Sequence, residues 1–142
     1  LPREEFFLTT KVWITNAGYE KAKASIEESM RKLRTDYLDL LLIHQPFGDY
    51  YGTYRAMEEL YKAGKLRAIG VSNFEPDQLL DLIAYNQIVP AVNQIETNLY
   101  CQRSAERVWM DKQQVAHMAY APLKQGSRNE MYQEPAVLAL AA

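Results

Sequence analysis

Apolar residues fall into five short, dense runs, separated by longer stretches in which apolar positions recur every three or four residues. The runs at 6–12, 38–43, 66–71, 91–95 and 115–120 are predicted strands. The second is the densest: Leu38, Leu40, Leu41, Leu42 and Ile43 follow one another with almost no polar break, the pattern of a strand buried on both faces of a parallel sheet. Between the runs the period changes to that of helices. Ile26, Met30 and Leu33 align within 20–33, and Tyr54, Met57, Leu60 and Tyr61 align within 53–63. Gly64 is placed to close the latter as a left-handed cap. A third helix opens near Pro76, where a missing N–H costs nothing, a fourth covers 104–112, and a last one starts near Pro135.

Strand starts recur at intervals of roughly 25 to 30 residues, the size of a βα unit, and strict alternation of strands and helices predicts a parallel sheet covered by helices. Two architectures satisfy this, the doubly wound open sheet and the (β/α)8 TIM barrel. The first is expected to carry a Gly-x-Gly-x-x-Gly turn after a strand; the chain has none, which favours the barrel. A closed barrel needs about 200 residues or more. The 142 residues are therefore predicted to form one α/β domain, 1–142, holding about five βα units of a barrel.

Composition narrows the function classes. The chain is 48% hydrophobic and 24% charged with a net charge of -2, which fits an ordinary soluble domain and lacks the basic footprint of a nucleic-acid binder. No apolar run approaches the roughly 18 residues needed to span a bilayer. The single cysteine, Cys101, excludes an intrachain disulfide, fits a reducing compartment and has no His or Asp beside it in a nucleophile arrangement. The first residues are polar and lack the hydrophobic stretch of a secretory signal, so the expected location is cytoplasmic.

In parallel α/β folds chemistry gathers at the carboxyl ends of the strands. Here each end carries a polar or aromatic group: Lys11 and Trp13; His44 and Gln45; Ser72 and Asn73; Asn93, Gln94 and Glu96; Tyr120. Taken singly, His44 also reads as a core histidine with a satisfied hydrogen bond, and Lys11 as a lysine snorkelling to water. Together on one face they read as proton-transfer machinery, the lysine tuning a neighbour and a neutral histidine donating to a developing oxyanion. His117 reads as a core or helix-facing histidine and Trp109 as packed against the sheet.

The segments "TTKVW", "LDLLLIHQP", "GKLRAIGVSNF", "AVNQIETN" and "YAPL" resemble, in order and spacing, the aldo-keto reductases, in particular those similar to 2,5-diketo-gluconate and glyoxal reductases. The resemblance implies a (β/α)8 barrel, represented here by its third to seventh units, that reduces aldehydes or ketones with NADPH through a Tyr, Lys, His and Asp tetrad. Lys11 then matches the tetrad lysine and His44 the tetrad histidine, as catalytic residues. Ser72, Asn73 and Gln94 match the groups that hold the nicotinamide carboxamide, a role suited to side chains offering donors and acceptors together. Tyr120 matches the aromatic stacked on the nicotinamide, Leu123 and Gln125 the loop near the pyrophosphate, and Trp13 a residue lining the substrate pocket. No metal is implied.

The tetrad Asp and Tyr of the family fall before Leu1 in this alignment of motifs, and the basic residues that grip the 2'-phosphate fall beyond Ala142. The 142 residues alone are accordingly expected to be incompetent in catalysis. Two further readings stand beside the reductase: a non-catalytic partial barrel that self-associates or pairs with another fragment through its open edges, and replacement of the acid by Tyr50 or Tyr51 in the loop after His44. The aromatic content of that loop, "QPFGDYYGTY", points to a small or flat carbonyl substrate.

Overall fold

The computed structural model describes residues 2–125 and 128–141. Five strands form one parallel sheet: β1 (Thr9–Val12), β2 (Leu40–Ile43), β3 (Ile69–Ser72), β4 (Val92–Glu96) and β5 (Ala116–Tyr120). Their spatial order is the order of the sequence. A doubly wound sheet would reverse direction at a switch point; a sheet that adds each strand to the same side of the last is an arc of a barrel. Among the described residues β1 and β5 each have one sheet neighbour.

The crossovers carry α1 (Tyr19–Leu33), α2 (Tyr50–Lys62), α3 (Pro76–Tyr85) and α4 (Ser104–Lys112), with short helices α5 (Arg128–Tyr132) and α6 (Pro135–Ala141) at the end. Local chemistry fixes their limits. Asp49 accepts a hydrogen bond from the Gly52 N–H at the start of α2, and α3 opens on Pro76 with a reciprocal Glu75–Gln78 capping box. Gly64, at φ +74°, turns the chain after α2 and lets the Lys65 N–H reach the Leu60 carbonyl at 3.0 Å, as a left-handed helix end requires.

One face of the sheet is buried under the helices. Val12, Leu41, Ile43, Ile69, Val71 and Ile95 pack with Ile26, Met30, Tyr54, Met57, Leu79, Leu82 and Met110 in a single core. The alternate residues Leu40 and Leu42 are equally buried on the opposite face, which explains the unbroken apolar run of β2. Gly70 sits beside Leu42 in the sheet. A Cβ there would lie 2.6 Å from the Val92 carbonyl oxygen and 2.9 Å from Leu42 Cδ2, so the close approach of strands at this point depends on glycine.

At the other end of the strands an ion cluster ties the chain together. Asp39, nearly inaccessible, accepts hydrogen bonds from Arg3 Nη2 at 2.8 Å, Arg67 Nη1 at 3.0 Å and the Leu8 N–H at 2.9 Å. Both guanidiniums also lie over the Tyr37 ring, at 3.9 and 4.5 Å from its centre. Burial raises the Asp39 pKa, but these three donors outweigh it and hold the carboxyl below its ordinary value.

Most element limits fall within two residues of the sequence reading, and three differ by three residues. The first strand starts at Thr9 rather than residue 6: Phe6 and Phe7 are exposed, and Leu8 directs its carbonyl to the N–H groups of both Asp39 and Leu40 before regular pairing begins. β3 starts at Ile69, because Leu66 makes only an isolated bridge with Leu38. Helix α2 starts at Tyr50, three residues before the predicted 53, because the Asp49 cap begins it there. Tyr50 and Tyr51 are thus helical, not in a loop.

Candidate active site

Alternation along the strands decides which side chains reach the sheet's open face. Val12, Ile43 and Val71 point to the helices, so Lys11, Leu42, His44 and Ser72 point the other way. On β4 and β5 the same parity selects Gln94 with Met118, and Glu96 with Tyr120, each pair in register. At the carboxyl ends these residues surround a cavity of about 260 Å³ lined by Lys11, His44, Gln45, Ser72, Asn73, Tyr120 and Gln125.

Polar contacts hold the floor of this cavity. Lys11 Nζ donates to Gln94 Oε1 across the arc, and Gln94 Nε2 donates to Met118 Sδ at 2.8 Å. Ser72, fully buried, donates to the Gln94 carbonyl at 2.8 Å. Asn73 follows in a left-handed conformation, φ +63°, which asparagine tolerates better than most residues. There its Nδ2 donates to the His44 carbonyl and to Ser72 Oγ, each at 3.1 Å. Trp13, half exposed, meets the His44 ring edge-on with centroids 4.7 Å apart.

Electrostatics set the protonation states. Burial first, and then the Lys11 charge, lower the His44 pKa from its ordinary value of 6.5, so the imidazole is neutral at pH 7. Burial also lowers the Lys11 pKa. Tyr120 is shifted up, by burial and then by the Glu96 carboxylate beside it. A cation, a neutral imidazole, three side-chain amides and two hydroxyls thus share one concave mouth, a set able to bind a carboxamide and to polarise a carbonyl.

Of the residues singled out in the sequence, Lys11, His44, Ser72, Asn73, Tyr120 and Gln125 line the cavity, Gln94 joins it through Lys11, and Trp13 flanks it. Leu123 is about half exposed and lies outside the lining; Gly126 and Ser127, in the same loop motif, lie outside the described residues. Tyr50 and Tyr51 are absent from the lining. They stack on one another at 4.5 Å, Tyr51 donates to the Asp81 carboxylate on α3, and Tyr50 packs on Phe74; the alternative reading in which one of them replaces the acid draws no support from this placement. Gln45, named at the second strand end but given no role there, lines the cavity, and Met118, marked in sequence only by standing two residues before Tyr120 on the same strand face, joins the site through Gln94. Elsewhere, His117 is half buried and its Nε2 is 2.8 Å from Thr97 Oγ1, and Trp109 packs against the core.

Comparisons with known proteins identify the family and the fold. A family model described as the aldo/keto reductase family matches residues 1–138. Glyoxal reductase of Bacillus subtilis is 46% identical over 125 residues, covering 87% of this chain and 45% of the relative. The 9,11-endoperoxide prostaglandin H2 reductase of Trypanosoma cruzi is 43% identical over 127 residues, covering 89% of this chain and 45% of the relative. Among solved structures, an aldo-keto reductase from a Medee basin deep-sea metagenome library superposes with a TM-score of 0.97 at 40% identity, over 99% of this chain and 53% of that one. A Bombyx mori aldo-keto reductase in complex with NADP gives 0.91 at 33% identity, over 99% and 52%. The chain spans about half the length of the relatives it matches. It belongs to the aldo/keto reductase family, and its sheet is an arc of that family's (β/α)8 barrel.

Proposed function

We propose that the protein reduces aldehydes or ketones to alcohols with NADPH, and that the mouth around Lys11 and His44 is where it does so. The observation carrying this reading is the convergence of Lys11, His44, Ser72, Asn73 and Tyr120 on one cavity, with Gln94 linked through Lys11. These groups fit a nicotinamide: the Ser72 hydroxyl and the amides of Asn73 and Gln94 match a carboxamide's donors and acceptor, and the Tyr120 ring offers an apolar face. When bound, the nicotinamide supplies the hydride.

The chain's own residues supply the rest. His44, neutral at pH 7, has an N–H to donate to the carbonyl oxygen as negative charge develops there. The Lys11 ammonium raises the positive potential at the same point and lowers the pKa of any acid placed beside it. Trp13, against His44, limits the space left for substrate. A positioned general acid is worth roughly 10²- to 10⁴-fold, so the 142 residues by themselves are expected to bind NADPH far better than they turn it over.

The test is NADPH oxidation by the complete polypeptide with a simple aldehyde, beside His44→Ala. Turnover that falls at least 100-fold in the variant while NADPH affinity is kept supports the reading. Equal turnover in both would remove His44 from the chemistry, and no turnover in either would end the reductase reading. A second reading, pairing of partial barrels through the β1 and β5 edges, draws on the single sheet neighbour of each strand; the molecular mass in solution distinguishes it.

A further inference from the structure

The chain holds five methionines. Met30, Met57, Met110 and Met131 are each at most 7% exposed, and the first three belong to the core beneath the helices. Met118 is the exception. It is half buried, and its register with Gln94 on β4 turns it to the sheet's open face, below the mouth. There Gln94 Nε2 donates to Met118 Sδ at 2.8 Å, while Gln94 Oε1 accepts from Lys11 Nζ. These two contacts fix which end of the amide faces which way. An ammonium only donates and a thioether only accepts, so a half turn of the amide would set N–H against N–H and oxygen against sulfur.

We propose that Met118 is a site of oxidation by peroxides, and that its sulfoxide weakens the hold of the mouth on NADPH by displacing the Gln94 amide. The inference rests on the reductase reading of the same mouth. In the step, a lone pair of Sδ attacks one oxygen of hydrogen peroxide. The S–O bond forms as the O–O bond breaks, sulfur is oxidised by two electrons, and the departing hydroxide takes the proton of the new S–OH group to leave as water. Reactivity follows exposure, so Met118 reacts before the four buried methionines. The product is polar and chiral, and its oxygen accepts hydrogen bonds. Contact at 2.8 Å leaves no room for an oxygen between Sδ and Nε2, so the amide moves, and its bond to Lys11 and its place against a carboxamide move with it.

The test treats the complete polypeptide with hydrogen peroxide and follows the tryptic peptide 113–124 by mass, in which Met118 is the only methionine. NADPH affinity is measured before and after treatment in the native protein and in Met118→Leu, which has no sulfur there to oxidise; the quantity compared is the ratio within each protein. Loss of one neutral hydrogen bond corresponds to about 3- to 10-fold. The expected result is Met118 gaining one oxygen ahead of the other methionines, with native affinity weakened by about that factor and restored by methionine sulfoxide reductase. The ratio in Met118→Leu should stay within about twofold of one. Another methionine oxidised first, native affinity unchanged once Met118 is oxidised, or an equal loss in Met118→Leu overturns the proposal. Recovery with a thiol reductant alone also overturns it, by assigning the effect to Cys101. Absence of NADPH binding before treatment would overturn the reductase reading, and oxidation of Met118 ahead of the others would then keep it as the modification site.

Discussion

Replacing Asp39 by Asn isolates charge from shape at the cluster that joins Arg3, Leu8 and Arg67. The side chain of Asp39 is only 3% exposed, that of Arg3 23% and that of Arg67 61%. The amide that replaces the carboxylate keeps one oxygen, enough for the Leu8 N–H, and turns its NH2 toward a guanidinium. Breaking a fully buried pair costs roughly 3 to 5 kcal/mol, but Arg67 is largely in water and its share is below about 1 kcal/mol. Arg3 keeps the Phe6 and Tyr37 carbonyls and Thr35 Oγ1 as acceptors, so its share is about 2 kcal/mol. The expected loss for Asp39→Asn at pH 7 is about 2 to 3 kcal/mol, a large fraction of a typical domain's 5 to 15 kcal/mol. Urea unfolding followed by circular dichroism measures it. Folding lowers the Asp39 pKa below its ordinary 3.8; the stabilisation is therefore complete above that value and is lost as pH falls through the lower, folded one. The gap between native and variant should close toward the acid end. A loss under about 0.5 kcal/mol at pH 7, or a gap of the same size at all pH values, would refute the assignment.

Two other predictions concern the site and the sheet beneath it. The His44 ring, followed by NMR, should titrate below 6.5, because burial and Lys11 both disfavour its cation; since the unfolded chain takes up that proton first, this group withdraws stability as pH falls below 6.5. Lys11→Met should move the midpoint upward, and a midpoint at or above 6.5 in the native protein would contradict the placement. Gly70→Ala puts a Cβ against the Val92 carbonyl and Leu42, and should destabilise by about 1 to 3 kcal/mol in urea unfolding; a neutral result would mean that the strands part there without cost.

How much of this was legible in the sequence differs between face and edge. β2 was readable because both of its faces are buried, so Leu38 to Ile43 show no alternation to misread. Lys11, His44, Ser72 and Gln94 were readable because strand ends in parallel sheets converge, so position alone nominated them. Phe6 and Phe7 mislead because apolar character there suggests strand pairing, whereas the chain answers to the Asp39 cluster, whose partners lie 28 to 36 positions from Asp39 and leave no local signature. Residues 50–52 carry no apolar helical period of their own and lie between Gly48 and Gly52, so only the Asp49 cap marks the true helix start. Gln45 and Met118 carry no local signal of a role, because one matters only through the wall of the cavity it lines and the other only through its contact with Gln94.

The central claim, that this mouth holds a nicotinamide, is tested most directly by the NADPH dissociation constant of the native chain and of Gln94→Ala, read from quenching of tryptophan fluorescence. Two hydrogen bonds to a carboxamide correspond to about 10-fold or more in affinity. The account predicts binding by the native chain that weakens by at least that factor in Gln94→Ala. No binding, or equal binding by both, would contradict it.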